Sequence, residues 1–262
     1  WTEDMLRKQA VRPADASVGC GRNVLLRVVG LHAKVTRMVV ADGPSASFSP
    51  TPFTMRCLLA LLFALSAYAA PVPIFDGKSL AGWEGDAAWW RVEDGEIRGG
   101  SATAKVPKNF FLATEKSYQN FDLRVKLRLT GTGFVNSGIQ MRSVRVPNSS
   151  EMSGYQVDYG KGWYGKIYDE SRRNKVIAES KGAAVVLATV KEGEWNEYRI
   201  LAEGNRIRSW INGVLALDYL ETEPNIAADG KIGIQIHSGG MAVIQAKDIT
   251  IEELPVTPGA LT

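Results

Sequence analysis

Thiol and imidazole side chains are scarce in this chain of 262 residues, which has two cysteines and two histidines. Cys20, Cys57 and His32 all lie within the first 69 residues, so His237 is the single histidine of the remainder. Residues 70–262 therefore offer no disulfide, no cysteine-ligated zinc and no cysteine nucleophile. The same count excludes a histidine-rich metal site.

An excess of positive charge is also missing from most of the chain. The formal net charge is +3, but residues 1–69 hold eight basic and four acidic side chains, whereas residues 70–262 hold 23 basic and 24 acidic ones. Such a balance does not provide the basic surface with which proteins bind nucleic acids. The sequence also lacks a phosphate loop, a dinucleotide fingerprint and a Ser-His-Asp signature. We therefore expect no nucleic-acid partner.

Long apolar runs are absent except at residues 55–70. This run begins with a methionine and one positive charge and ends in Ala67-Tyr68-Ala69, which is typical of a signal-peptide cleavage site. A membrane span needs about 20 residues, so we predict a signal peptide and no stable membrane span; a buried helix is the alternative. On this interpretation, residues 1–54 are non-native upstream sequence or disordered, and the protein is secreted or periplasmic.

From residue 71 onward, apolar residues recur with the period of two that β-strands require. In the segment 121–129, five apolar residues alternate with four charged ones, so one face must contact a core and the other water. Asn212-Gly213 is a dipeptide favoured in type I′ hairpins. Roughly ten to twelve strands are expected. This predicts one all-β domain over residues 71–262, with its core at about 73–254, built as a sandwich of two antiparallel sheets.

Three predicted strands combine apolar residues on one face with polar residues and glycine on the other: residues 137–142, 154–159 and 232–237. Alternation places these polar side chains opposite the apolar ones: Gln140, Arg142, Gln156, Asp158, Gln235 and His237. Gly138, Gly154 and Gly233 on the same faces leave room for a ligand to approach the backbone. If the strands are neighbours, they form one polar surface; the alternative is a solvated face without a function.

Six segments of the chain, in the same order and at similar spacing, resemble the 3-keto-disaccharide hydrolase domain family. They are residues 74–83, 136–142, 154–158, 168–173, 210–213 and 233–239. The resemblance implies a concanavalin A-like jelly roll and a secreted or periplasmic carbohydrate-active protein, often acting on sugars oxidised at C3. Glucanases that share this fold carry a Glu-x-Asp-x-x-Glu strand, which this chain lacks. Hydrolysis by such a carboxylate pair is therefore disfavoured.

A ketone at C3 of a sugar acidifies the proton at C2, and loss of that proton allows the C1 substituent to leave. This elimination needs a base near C2 and a group that stabilises the enolate oxygen. His237, whose unperturbed pKa is ~6.5, is the candidate base, and Asp158 is either the rival base or the carboxylate that orients His237. Arg142 is the candidate for holding the enolate oxygen.

The candidate substrate-binding residues are amides that hydrogen-bond hydroxyls, aromatic rings that pack against a sugar, and two charged residues that close over it. They are Gln140, Gln156, Gln235, Trp163, Tyr168, Glu170 and Arg172. A divalent ion is an alternative electrophile, with Asp158, Asp169 and Glu170 as oxygen ligands, but the chain has no EF-hand spacing. We therefore assign no cofactor and no metal ligands.

The sequence favours a secreted protein that cleaves the glycosidic bonds of 3-keto-glycosides or 3-keto-disaccharides, as a hydrolase or an eliminating lyase, with a saccharide as its partner. The alternative is a non-catalytic, lectin-like carbohydrate-binding module of the cell envelope, because jelly rolls often serve that role and a fold does not determine a function. A structural or interaction domain of the envelope is the third interpretation.

Overall fold

The computed structural model of the protein describes residues 70–261. The predicted upstream segment at residues 1–54 and the predicted signal peptide at 55–70, apart from its last residue, lie outside the described residues. Both assignments, and the secreted or periplasmic location that depends on them, stay predictions. Among the described residues, no helix combines the length and the apolar character needed to cross a membrane.

Fifteen strands and one short helix make up the regular structure of residues 70–261. In chain order they are β1 (Val72–Pro73), β2 (Trp83–Glu84), β3 (Trp90–Glu93), β4 (Glu96–Gly100), β5 (Phe110–Tyr118), β6 (Phe121–Gly133), β7 (Asn136–Arg145), β8 (Met152–Gly160), β9 (Ile167–Glu170), β10 (Lys175–Ala178), α1 (Ala183–Thr189), β11 (Asn196–Glu203), β12 (Arg206–Ile211), β13 (Val214–Leu220), β14 (Gly230–Ile236) and β15 (Gly240–Glu253). The predicted all-β class is confirmed. The strands exceed the expected number because several are two to four residues long, too short for a period of two to be visible.

The strands form two sheets in which every pairing is antiparallel. The first sheet has the order β13-β12-β11-β6-β15-β4-β3, with β1 paired to β15. The second has the order β10-β9-β8-β7-β14-β5-β2. Neighbouring strands such as β7 and β14 are far apart in sequence, which brings distant segments of the chain side by side. The predicted sandwich of two antiparallel sheets is confirmed.

The core lies between the two sheets. In β6, Leu123, Val125 and Leu127 are at most 2% exposed, and the charged residues between them point outward. Ile234 and Ile236 of β14 belong to the same buried cluster from the side of the second sheet. Burying a side chain of this size contributes about 1.5–3 kcal/mol. The apolar side chains whose alternation predicts these strands therefore also hold the two sheets together.

The predicted hairpin at Asn212-Gly213 joins β12 to β13. Both residues have positive φ angles, 49° and 82°, as a type I′ turn requires. Oδ1 of Asn212 also accepts a 2.9 Å hydrogen bond from the backbone N–H of Glu197. The turn is thereby tied to the neighbouring strand β11.

Candidate active site

A small cavity opens on the face of the second sheet that points away from the core. Its volume is about 140 Å³. The residues that line it come from β7, β8 and β9, from the position after β14 and from two loops: Phe134, Asn136, Gln156, Asp158, Trp163, Tyr168, Glu170 and His237. Six of these eight are predicted site residues. The fold thus brings together side chains that are up to about a hundred positions apart in the chain.

The register of the second sheet explains this convergence. Gly138 of β7 lies between Gln235 of β14 and Asp158 of β8. Two residues further along β7, Gln140 lies opposite Gln156 of β8. Because side chains alternate along a strand, all of these residues face the same side of the sheet. The three polar strands of the sequence are therefore neighbours, β14-β7-β8.

Two glycines on this face accommodate protein side chains. A Cβ atom at position 138 would lie 2.5 Å from Cγ of Gln156, and one at position 233 would lie 2.7 Å from Sδ of Met152. Gly138 therefore allows the Gln156 side chain to lie across β7, and Gly233 allows the Met152 side chain to lie across β14. The prediction that these two glycines leave space for a ligand is wrong, because that space is occupied.

A chain of hydrogen bonds runs beneath the cavity through buried amides. Oγ of Ser143 donates to Oε1 of Gln140 at 2.6 Å, and Nε2 of Gln140 donates to Oε1 of Gln156 at 3.1 Å. Nε2 of Gln156 donates to Oδ1 of Asp158 at 2.9 Å and to Oε1 of Gln235 at 3.2 Å. Gln140 and Gln235 are fully buried. They therefore support the cavity from below, where the prediction has them contacting the substrate.

Asp158 is the most deeply buried carboxyl group of the cavity. It is 2% exposed, and this burial is the main reason why its pKa is raised to about 7. The hydrogen bond from Gln156 opposes the effect, and the charge of Glu170 adds to it. Among the described residues, Oδ2 of Asp158 has no hydrogen-bond partner. This oxygen is itself buried, so its capacity for a hydrogen bond is unused in the structure.

Glu170 ends the chain of hydrogen bonds, since its Oε2 accepts from Nε2 of Gln235 at 3.2 Å. Burial, reinforced by the charge of Glu151, raises the pKa of Glu170 to about 7, although the hydrogen bond from Gln235 acts in the opposite direction. The cavity therefore contains two carboxyl groups that lose their protons near neutral pH. This property suits groups that give and take protons during a reaction.

His237 stands at the rim of the cavity, directly after β14. Its Nδ1 lies 2.8 Å from the backbone oxygen of Ser238. A carbonyl oxygen can only accept, so Nδ1 must carry the hydrogen and donate it. In the neutral ring, Nε2 is then the unprotonated nitrogen. The ring packs edge-on against Phe134, with centroids 4.6 Å apart, which holds the imidazole in place.

Aromatic rings provide another wall of the cavity. Trp163 and Tyr168 pack edge to face, with centroids 6.3 Å apart and an angle of 78° between the rings. Nζ of Lys166 lies 5.4 Å from the centroid of Trp163. Flat apolar surfaces next to amides and carboxyl groups match the two kinds of surface on a sugar ring, its C–H faces and its hydroxyls.

Two lining residues, Phe134 and Asn136, are absent from the sequence predictions. Asn136 begins β7, and alternation from Gly138 could have placed it on the same face. Phe134 lies in the short connection between β6 and β7, where no strand period applies. Its 43% exposure is a property of the folded chain, and the sequence contains no signal for it.

Arg142 lies outside the cavity, and the prediction that it shares the polar surface is wrong. It occupies a β-bulge of β7, where the pairing with β8 shifts register between Met141 and Val144, and its φ is +47°. The extra residue breaks the alternation. The guanidinium instead donates to backbone oxygens of Gln119 at 2.8 Å and Gly204 at 2.6 Å. Burial lowers the pKa of Arg142 to about 10.

Arg172 also lies away from the cavity, contrary to the prediction. Its Nε donates to Oδ1 of Asp169 at 2.9 Å, and its guanidinium lies 4.4 Å from the ring centroid of Tyr155. Asp169 and Tyr155 point to the core side of the sheet, whereas Tyr168 and Glu170 point to the cavity. Asp169 therefore cannot join Asp158 and Glu170 around one ion. In residues 70–261, no three acidic, histidine or cysteine side chains cluster so as to hold a metal.

A comparison with protein families decides where the chain belongs. The family described as 3-keto-alpha-glucoside-1,2-lyase-like domain matches residues 70–252. The chain belongs to this family. The matched range includes every residue that lines the cavity. Membership in this family identifies the domain as carbohydrate-active. No match was found among curated proteins.

Solved structures support the architecture of this lyase-like domain. A candidate glycosyl hydrolase from Parabacteroides distasonis is 20% identical, with a TM-score of 0.54 over 71% of this chain and 94% of that one. The carbohydrate recognition domain of Emp46p is 10% identical, with a TM-score of 0.51 over 68% and 91%. A Bacillus subtilis protein of unknown function with a galectin-like fold is 10% identical, with a TM-score of 0.51 over 72% and 99%. These likenesses confirm the predicted concanavalin A-like jelly roll.

Proposed function

We propose that this protein is a lyase that cleaves 3-keto-glycosides by elimination across C1 and C2. One observation carries the proposal: the imidazole of His237 lines the same cavity as Asp158 and Glu170, and the pKa values of these two carboxyl groups are raised to about 7. Family membership at residues 70–252 supports the substrate class. These groups are sufficient to start the cleavage of a 3-keto sugar, because the C3 ketone makes the C2 proton acidic enough for an imidazole to remove it.

The first step is proton removal from C2. Nε2 of His237 takes the proton, and the electrons of the C2–H bond form an enolate with negative charge on the C3 oxygen. Asp158, in its protonated form, donates from Oδ2 to that oxygen. A carboxylic acid kept neutral by burial can stabilise an oxyanion in this manner. Asp158 thereby takes the role that was predicted for Arg142.

The second step is departure of the C1 substituent. The C3 carbonyl re-forms, a double bond forms between C1 and C2, and the bond from C1 to the leaving oxygen breaks. Glu170, protonated near neutral pH, gives its proton to the leaving oxygen. At the end His237 has gained one proton and Glu170 has lost one. Exchange with solvent restores both groups for the next turnover.

A non-catalytic sugar-binding module is the second candidate, and the aromatic wall favours it. Trp163 and Tyr168 stand beside buried amides, and that combination would hold a sugar without changing it. The two candidates differ in what happens at C2. A binding module leaves the C2 proton in place, whereas the proposed lyase removes it even when the leaving group departs slowly.

The deciding experiment follows methyl 3-keto-α-glucoside in D₂O by NMR. We expect deuterium at C2 and release of methanol with the wild-type protein, and neither with unoxidised methyl glucoside, whose C2 proton is not acidic. His237→Gln should slow both events by about 10²–10⁴-fold. The exposed Glu115 serves as a control, and Glu115→Gln should behave as wild type. Saturable binding in calorimetry without exchange at C2 would overturn the lyase and establish the binding module.

A further inference from the structure

A second and larger hollow adjoins the candidate active site. Its volume is about 590 Å³, and it is bordered by the β6–β7 connection, the loop between β8 and β9, and the loop before β11. Phe134 and Trp163 line both this hollow and the small cavity. The two spaces therefore adjoin each other at these two aromatic side chains. We call the larger hollow the outer groove and the small cavity the inner cavity.

The sizes of the two spaces suit different parts of one substrate. Pockets for drug-sized ligands have volumes of about 300–1,000 Å³. The inner cavity, at about 140 Å³, is smaller than this range and suits a single sugar ring. The outer groove, at about 590 Å³, falls within the range. A disaccharide whose oxidised ring fills the inner cavity must place its other ring outside, and the outer groove adjoins the inner cavity at Phe134 and Trp163.

The lining of the outer groove has the chemistry of a sugar subsite. Phe134 is 43% exposed, so one face of its ring is available for contact. Lys161 and Glu192 are exposed on opposite loops of the groove. An ammonium and a carboxylate together donate to and accept from hydroxyl groups. Aromatic rings for the C–H face of a sugar and charged groups for its hydroxyls thus occur side by side.

We propose that the outer groove binds the leaving-group sugar of a 3-keto-disaccharide. This inference rests on the proposed lyase function and specifies its substrate. The oxidised ring occupies the inner cavity between Asp158, Glu170 and His237. The second ring lies beyond Phe134 and Trp163, with Lys161 and Glu192 hydrogen-bonded to its hydroxyls. The glycosidic oxygen then lies at the level of the shared aromatic pair.

Another hollow in the second sheet is the rival location for the second ring. It has a volume of about 560 Å³ and borders β2 and β5, with Lys108 and Arg145 among its lining residues. Among the described residues, it shares no lining residue with the inner cavity, so no side chain links the two. Lys108 therefore provides a matched control for Lys161, since both are lysines at the edge of a hollow of similar size.

The test compares kcat/KM for a 3-keto-disaccharide with kcat/KM for methyl 3-keto-α-glucoside. In the double variant Lys161→Ala/Glu192→Ala, the ratio of the two values should fall about tenfold, as expected from losing one or two hydrogen bonds. Thr130→Trp, which fills the groove from the exposed side of β6, should lower the ratio as well. Lys108→Ala should leave the ratio unchanged. An unchanged ratio in both groove variants would overturn the subsite.

Failure of the proposed function gives a different result. If the wild-type protein cleaves neither substrate, the lyase is wrong, and calorimetric titration with the 3-keto-disaccharide then tests the groove. Weaker binding to the double variant than to Lys108→Ala supports the subsite in a binding module. Equal binding to the wild type and the groove variants overturns it.

Discussion

Nε2 of Gln156 donates a 2.9 Å hydrogen bond to Oδ1 of Asp158, and this bond orients a carboxyl group that lines the cavity. With Oδ1 engaged, Oδ2 is the oxygen without a partner among the described residues. The same bond lowers the pKa of Asp158 and so opposes the effect of burial. One buried amide thus controls both the direction of the carboxyl group and the pH at which it loses its proton.

Replacing Gln156 by leucine should raise the pKa of Asp158 above about 7, because burial then acts without the opposing hydrogen bond. In the proposed mechanism protonated Asp158 is the active form, so the decline of kcat/KM with rising pH should move to higher pH. The measurement is the pH profile of kcat/KM between about pH 5 and about pH 9, together with a ¹³C NMR titration of the carboxyl group. A decline that moves to lower pH would contradict this role.

The raised pKa of Asp158 also predicts a dependence of stability on pH. Its folded pKa of about 7 lies well above the ordinary value of an aspartic acid, so folding favours the protonated acid. The stabilising contribution is complete below about pH 4 and is lost as pH rises through about 7, by an amount on the order of a few kcal/mol. Asn resembles the neutral acid, so Asp158→Asn should gain stability relative to wild type over this range. Urea unfolding at several pH values measures the difference, and a constant difference would refute the raised pKa.

The strands of this protein are predictable from sequence because each sheet has one buried face. In β6, Leu123 and Val125 are buried while Arg124 and Lys126 are not, and the sequence displays this period directly. The same period places Gln156 with Asp158 and Gln235 with His237. Neighbouring strands in the sheet then complete the site, and that adjacency comes only from the folded topology.

Prediction fails where the chain departs from a regular strand. The bulge in β7 turns Arg142 away from Gln140, and an alternating pattern cannot reveal one inserted residue. Arg172 lies in a turn after β9, and its long side chain reaches Asp169 beneath the sheet. Phe134 joins the cavity from a loop. In each case the position of the side chain depends on backbone geometry that the residue types alone do not specify.

Gly138 is predicted to be essential for the position of Gln156. A Cβ atom at this position would lie 2.5 Å from Cγ of Gln156, so Gly138→Ala must displace that side chain and with it the hydrogen bond to Asp158. We expect a loss of about 1–3 kcal/mol in the free energy of unfolding and a fall in turnover of the 3-keto-glycoside.

Gly182 provides the matched control for this substitution. Its φ is −108°, and nothing lies within 4 Å of the position that its Cβ would take. Gly182→Ala should therefore cost less than about 1 kcal/mol and leave turnover as in the wild type. Chemical denaturation and a turnover assay of both variants make the comparison. Equal effects of the two substitutions would show that crowding against Gln156 does not matter.

Arg142 is predicted to stabilise the fold without taking part in the reaction. Its guanidinium donates to the backbone oxygens of Gln119 and Gly204 and to Oδ1 of Asn120 at 3.0 Å, so Arg142→Met removes three hydrogen bonds. Oδ1 of Asn120 keeps the N–H of Gly204 as a donor, whereas the two backbone oxygens lose the guanidinium. The loss in unfolding free energy should be on the order of 3 kcal/mol. Arg206→Met, which removes an exposed ion pair with Asp218, should have a much smaller effect. Folded Arg142→Met protein should keep the pH profile of the wild type, whereas a catalytic arginine would abolish turnover in protein that is still folded by circular dichroism.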